Sequence, residues 1–131
     1  MNQEVAQKWS QALRSGKYKE GTHQSEHHRH YHQKHSNEDT YSVLGVLCKL
    51  ALKEGVDVAP TFNHTDTGLY TYYDGEIGFL PKSVQEWAGL ESGLAGYEDD
   101  LGDLKDLLSF HYYGATFEEL AGAIDSLWER L

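Results

Sequence analysis

Val5, Trp9, Ala12 and Leu13 recur three and four residues apart, which predicts an amphipathic helix over residues 2–15, stopped by Gly16. Beyond it the pattern fades. Residues 21–38 have almost no large aliphatic side chains and no period, so a loop or weakly ordered insertion is expected there. Order returns after Thr40, a plausible N-cap. Val43, Leu44, Val46, Leu47, Leu50, Ala51 and Leu52 cover most of a helical circumference and predict a buried central helix ending at Gly55. "LYTYYDGEIGFLPK" predicts a β-hairpin over about residues 69–80, turning at Asp74-Gly75. Pro81 opens a short helix with Val84, Trp87 and Ala88 facing inward. "ESGLAGYEDD" is expected to be a loop, and Leu101, Leu104, Leu107 and Leu108 share one face of a further helix. In the closing helix, Thr116 and Glu119 match a capping box, and Phe117, Leu120, Ala121, Ile124, Leu127 and Trp128 form the apolar stripe. The expected fold class is α+β and mostly helical. It is a single domain over residues 1–131, with about five helices and one small hairpin.

Composition adds limits. A chain of 131 residues with 39% hydrophobic residues can bury roughly two-thirds of its unfolded surface. No apolar run approaches the ~20 residues of a membrane span, so no membrane partner is expected. The amphipathic start lacks the apolar core of a secretory signal, which points to a cytoplasmic protein. The single cysteine, Cys48, excludes an internal disulfide and an all-cysteine zinc site. Charge is uneven. Residues 1–35 carry a net +3 and residues 36–131 a net −13, giving −10 overall. A surface this acidic repels phosphate backbones, which argues against direct nucleic-acid binding and suits a partner with a basic surface.

Candidate chemistry centres on two groups. Six of the eight histidines lie between His23 and His35. His28, His32 and His35 stand four and three apart, a spacing that on a helix gathers imidazoles able to hold Zn or another divalent transition metal. Glu26, Glu38 or Asp39 could add a carboxylate, but there is no His-Glu-x-x-His arrangement. A solvated polar loop, with no cofactor, is the plainer reading, and a pH-responsive patch is a third. The tyrosines form the other group. Tyr18, Tyr41, Tyr70, Tyr72 and Tyr73, with Arg14, are candidate binding residues for a protein face or a small nucleotide. Strand alternation sets Tyr70 and Tyr72 opposite Thr71 and Tyr73.

Catalytic signals are thin, so an enzyme is not favoured. Cys48 sits in an apolar helix, where a structural thiol is expected. No phosphate loop, dinucleotide fingerprint or serine-nucleophile motif occurs. The acids of "YEDDLGD" read as a helix start. The last two helices resemble a helix-turn-helix in outline, but Glu118, Glu119, Asp125 and Glu129 against Arg130 are wrong for DNA, and a packed helical hairpin is expected.

Four stretches, "WSQALRSGKYKEG", "YSVLGVLCKLALKEG", "GFLPKSVQEWAGL" and "GATFEELAGAID", resemble in order and spacing a family of small bacteriophage and prophage proteins with no established activity. Many relatives look like Tyr-Cys-Cys-Leu-Gly where this chain has Tyr41-Ser42-Val43-Leu44-Gly45, so a cysteine-based metal or redox role does not carry over. The resemblance implies a phage accessory protein. The leading expectation is a binding protein that acts in the host cytoplasm. It would sequester or inhibit a host component of anti-phage defence, with a basic host protein or a nucleotide signal as target. The alternatives are a small metal-dependent hydrolase using the histidines, and a self-assembling structural protein joined head-to-tail as a homo-oligomer.

Overall fold

The computed structural model describes residues 1–21, 32–35, 38–65, 68–76 and 79–131. Helix α1 (Gln3–Arg14) begins on Asn2, whose side chain accepts from Val5 N at 3.2 Å, and buries Val5, Ala6, Trp9 and Leu13. Two short strands follow, β1 (Lys19–Glu20) and β2 (His32–His35), then β3 (Glu38–Tyr41). Helix α2 (Val43–Lys53) is the hub of the core, with Val43, Leu44, Val46, Leu47, Cys48 and Ala51 all buried. Its cap is Ser42, accepting from Gly45 N at 3.0 Å, and not Thr40. Thr40 is committed to β3, where it pairs with Gln33 and Lys19, so the helix cannot begin until two residues later. Trp9 of α1 donates its indole N–H to Val43 O at 3.1 Å, fixing α1 against the start of α2.

Strands β4 (Pro60–Thr65) and β5 (Gly68–Tyr73) complete a five-stranded sheet ordered β1-β3-β2-β5-β4. The class is α+β and mostly helical, as the sequence pattern predicts, but the strands are arranged differently. Asp74 (φ 54°) and Gly75 (φ 72°) do turn the chain, and among the described residues they lead to a single bridge, Tyr73 to Glu76. The long partner of β5 is β4, in register from Pro60–Tyr73 to Thr65–Gly68. Part of the segment expected to be a loop is also strand. His32–His35 lies between β3 and β5, with Gln33 opposite both Thr40 and Tyr70. Backbone pairing needs no aliphatic side chain, so an aliphatic period cannot reveal such a strand.

Helix α3 (Lys82–Ala88) closes on left-handed Gly89, where a Cβ would stand 3.0 Å from Asn2 N. Then comes the largest departure. The residues expected as one helical face divide. β6 (Gly96–Glu98) and β7 (Leu104–Asp106) form a hairpin, and α4 (Leu107–Tyr112) starts only at Leu107, capped by Asp106. Leu107 and Leu108 are buried, whereas Leu101 and Leu104 are not. Helix α5 (Phe117–Leu127) carries the predicted Thr116–Glu119 capping box and packs along α1.

Candidate functional site

The β6–β7 hairpin is built to hold its shape in water. Asp99 Oδ1 accepts from Leu101 N and Asp103 N, both at 2.9 Å, and Asp99 Oδ2 lies 2.8 Å from Lys105 Nζ. The Lys105 ammonium, then those backbone amides, push the Asp99 carboxyl down to about 2. Gly102 takes φ 82°, which lets the turn close with Gly102 N on Asp99 O. At the base, a Cβ on Gly96 would stand 3.2 Å from Lys105 O, so the two strands approach closely there with no side chain between them.

The product of this bracing is two leucines, Leu101 and Leu104, each 86% exposed. Leu104 borders a groove of about 650 Å³, whose other walls include Leu94, Tyr97, Glu98, Glu129 and Arg130. Tyr97 is supported from behind by Phe110, edge-on at 6.4 Å. Both cations of the groove are already occupied: Lys105 by Asp99, and Arg130 by Asp100 at 2.6 Å. Among the described residues Glu91, Glu98 and Glu129 form no ion pair, so the rim keeps a negative excess around an apolar centre. An apolar anchor flanked by positive charge would complement such a surface.

Four of the five tyrosines expected to bind are buried in the fold instead. Tyr18, Tyr41, Tyr72 and Tyr73 are all buried, although Tyr72 and Tyr73 alternate across β5. Both sides of that strand end are covered. Tyr18 meets Tyr41 edge-on at 5.0 Å, and Lys53 donates to Tyr18 Oη at 2.9 Å while lying 5.5 Å from the ring centre. Burial, with Cys48, Tyr41 and Tyr18 nearby, raises the Tyr73 phenol well above its usual range. Burial does the same to Cys48 and keeps it a thiol, which fits a structural role. The backbone of Tyr70 pairs with Gln33 and Asn63, and its side chain lies outside the described residues. Arg14 is exposed but turned away to α5, with Nη1 2.6 Å from Asp125 Oδ2 and Nε 3.4 Å from Glu118 Oε1. It clamps two helices.

Of the histidines singled out for metal, His28 lies outside the described residues. The backbones of His32 and His35 lie in β2, and their side chains are outside the described residues too. The spacing argument assumed a helix. A strand repeats every two residues, so the argument does not transfer. Among the described residues no group of three or more His, Cys, Asp and Glu is placed to hold a metal ion.

A buried polar clasp escapes sequence reasoning altogether. His111 Nδ1 accepts from Val43 N at 3.4 Å, and its Nε2 lies 3.9 Å from Glu20 Oε2. Glu20 Oε1 accepts from Phe117 N at 2.7 Å, in the first turn of α5. An amide donor on Nδ1 leaves the imidazole proton on Nε2, facing the carboxylate. The imidazole thus sets α4 against the start of α2 and beside Glu20 of β1, and Glu20 in turn holds α5. Residues 20, 43, 111 and 117 are too far apart in sequence for any spacing rule to group them.

Among the described residues no helix is long and apolar enough to cross a membrane. No curated protein and no solved structure matches the chain. A family model described as a domain of unknown function, DUF8296, matches residues 1–127; it spans the hairpin, the tyrosines and the clasp, and the chain belongs to that family.

Proposed function

We propose that this chain is a phage accessory protein that binds and blocks a host protein in the cytoplasm, a component of host immunity, through the β6–β7 groove. One observation carries the reading: Leu101 and Leu104 stand 86% exposed on a turn braced by Asp99. Covering an exposed leucine is worth roughly 1.5–3 kcal/mol. Folding leaves that gain unused at two adjacent positions, and a partner can collect it. A turn already fixed in shape loses little freedom on binding. The unpaired Glu91, Glu98 and Glu129 select a basic surface with an apolar centre. The likeness to phage accessory proteins supplies the setting. A nucleotide target is less well supported, because Tyr18, Tyr41, Tyr72 and Tyr73, which would stack on a base, are buried.

The test is capture of host proteins by the wild type and by a Leu101→Asp/Leu104→Asp double variant, side by side. The expected result is a partner retained by the wild type, lost by the variant, and released from the wild type as salt rises. A partner held equally by both proteins overturns the groove as the binding site.

A further inference from the structure

We infer that β4 is a second interaction surface, where two copies of this chain join as a symmetric dimer by antiparallel β4–β4 pairing. The sheet has two edges among the described residues, β1 and β4. β1 is two residues long and charged, Lys19 and Glu20, and Glu20 is already engaged with α5. Short length and charge are how edge strands are kept from pairing with other chains. β4 shows the reverse. It runs for six residues, Pro60–Thr65, in unbroken register with β5. It carries no Asp, Glu, Lys or Arg, and neither do Val58 and Ala59 before it. Pro60 sits at its first position, where proline leaves the rest of the ladder free to pair.

The second copy is the occupant that fits. A chain of net charge −10 repels itself over most of its surface, and close approach requires a locally uncharged contact. Residues 58–65 provide one. Antiparallel pairing of two identical strands about a two-fold axis is self-complementary, since each donor row meets the partner's acceptor row. It would merge two five-stranded sheets into a continuous one. Phe62, 67% exposed at the middle of the strand, supplies the apolar contact beside the axis. This surface is separate from the groove, so either reading can fail without the other.

Sedimentation velocity on the full chain over a wide concentration range tests it, together with amide exchange. The expected result is a monomer–dimer equilibrium in the wild type. The β4 amides should be protected in the dimer and exchange faster on dilution. Phe62→Lys should be monomeric with an unchanged far-ultraviolet spectrum, because that side chain is mostly in solvent. A wild type that stays monomeric at every concentration overturns the proposal. So does a dimer whose β4 amides exchange as fast as the monomer's, which also covers the case of a variant that fails to fold.

Discussion

The tyrosines around α2 and the leucines of the β6–β7 hairpin reverse the usual order of inside and outside. Four polar-tipped rings are buried, and two wholly apolar side chains stand in solvent. The first arrangement works because the core gives the rings edge-on neighbours, and Lys53 reaches in to Tyr18 Oη. The second is held by polar atoms: one carboxylate, two backbone amides and a lysine keep a turn in place whatever its leucines touch. The contrast separates side chains that the fold covers from side chains that it leaves in solvent. Exposure that contributes nothing to the fold is the better guide to a binding surface.

Three experiments probe that contrast, the largest effect first. Tyr73→Ala opens a cavity in the core and should cost about 3–5 kcal/mol in urea unfolding. A loss below about 1 kcal/mol would mean the rings are not packed as described. Asp99→Asn should act locally, loosening the turn without unfolding the domain. Because the folded carboxyl is held at about 2, below its ordinary 3.8, its stabilising effect is complete above that ordinary value and is lost as pH falls from there toward 2. The amide resonances of Leu101 and Asp103 should follow that window in the wild type and lose the dependence in Asp99→Asn. Leu101→Ser with Leu104→Ser should change stability by no more than about 0.5 kcal/mol, within the range of surface substitutions. A clear drop in unfolding midpoint would show that the leucines belong to the core after all.

How much of this was legible beforehand depended on the kind of signal. Helices α1, α2 and α5 were readable because Val5–Trp9–Leu13, the apolar run after Ser42 and the Thr116–Glu119 box are local patterns with a physical period. The sheet was largely hidden. His32–His35 and Pro60–Thr65 hold their places by backbone pairing and carry few of the aliphatic residues by which strands are recognised. The groove was concealed by a coincidence. Leu101 and Leu104 fall at helical spacing ahead of Leu107 and Leu108, so the pattern joined two exposed residues to two buried ones. Gly102 between them, in a left-handed conformation, was the local mark of a turn. The tyrosines stand out in the sequence as candidate binding residues, but the burial of Tyr18, Tyr41, Tyr72 and Tyr73 depends on which elements cover them, and no local pattern carries that.

The Arg14 clamp has a consequence for how the molecule is made. Its partners Glu118 and Asp125 lie 104 and 111 residues further along the chain. At about 5–20 residues per second, α1 leaves the ribosome roughly 5–20 s before the helix it packs against has been synthesised. Through that interval the face bearing Val5, Trp9 and Leu13 lacks one of its walls. Closure of the domain therefore waits for α5, and chaperones that recognise apolar helices have their opportunity at α1 before α5 arrives.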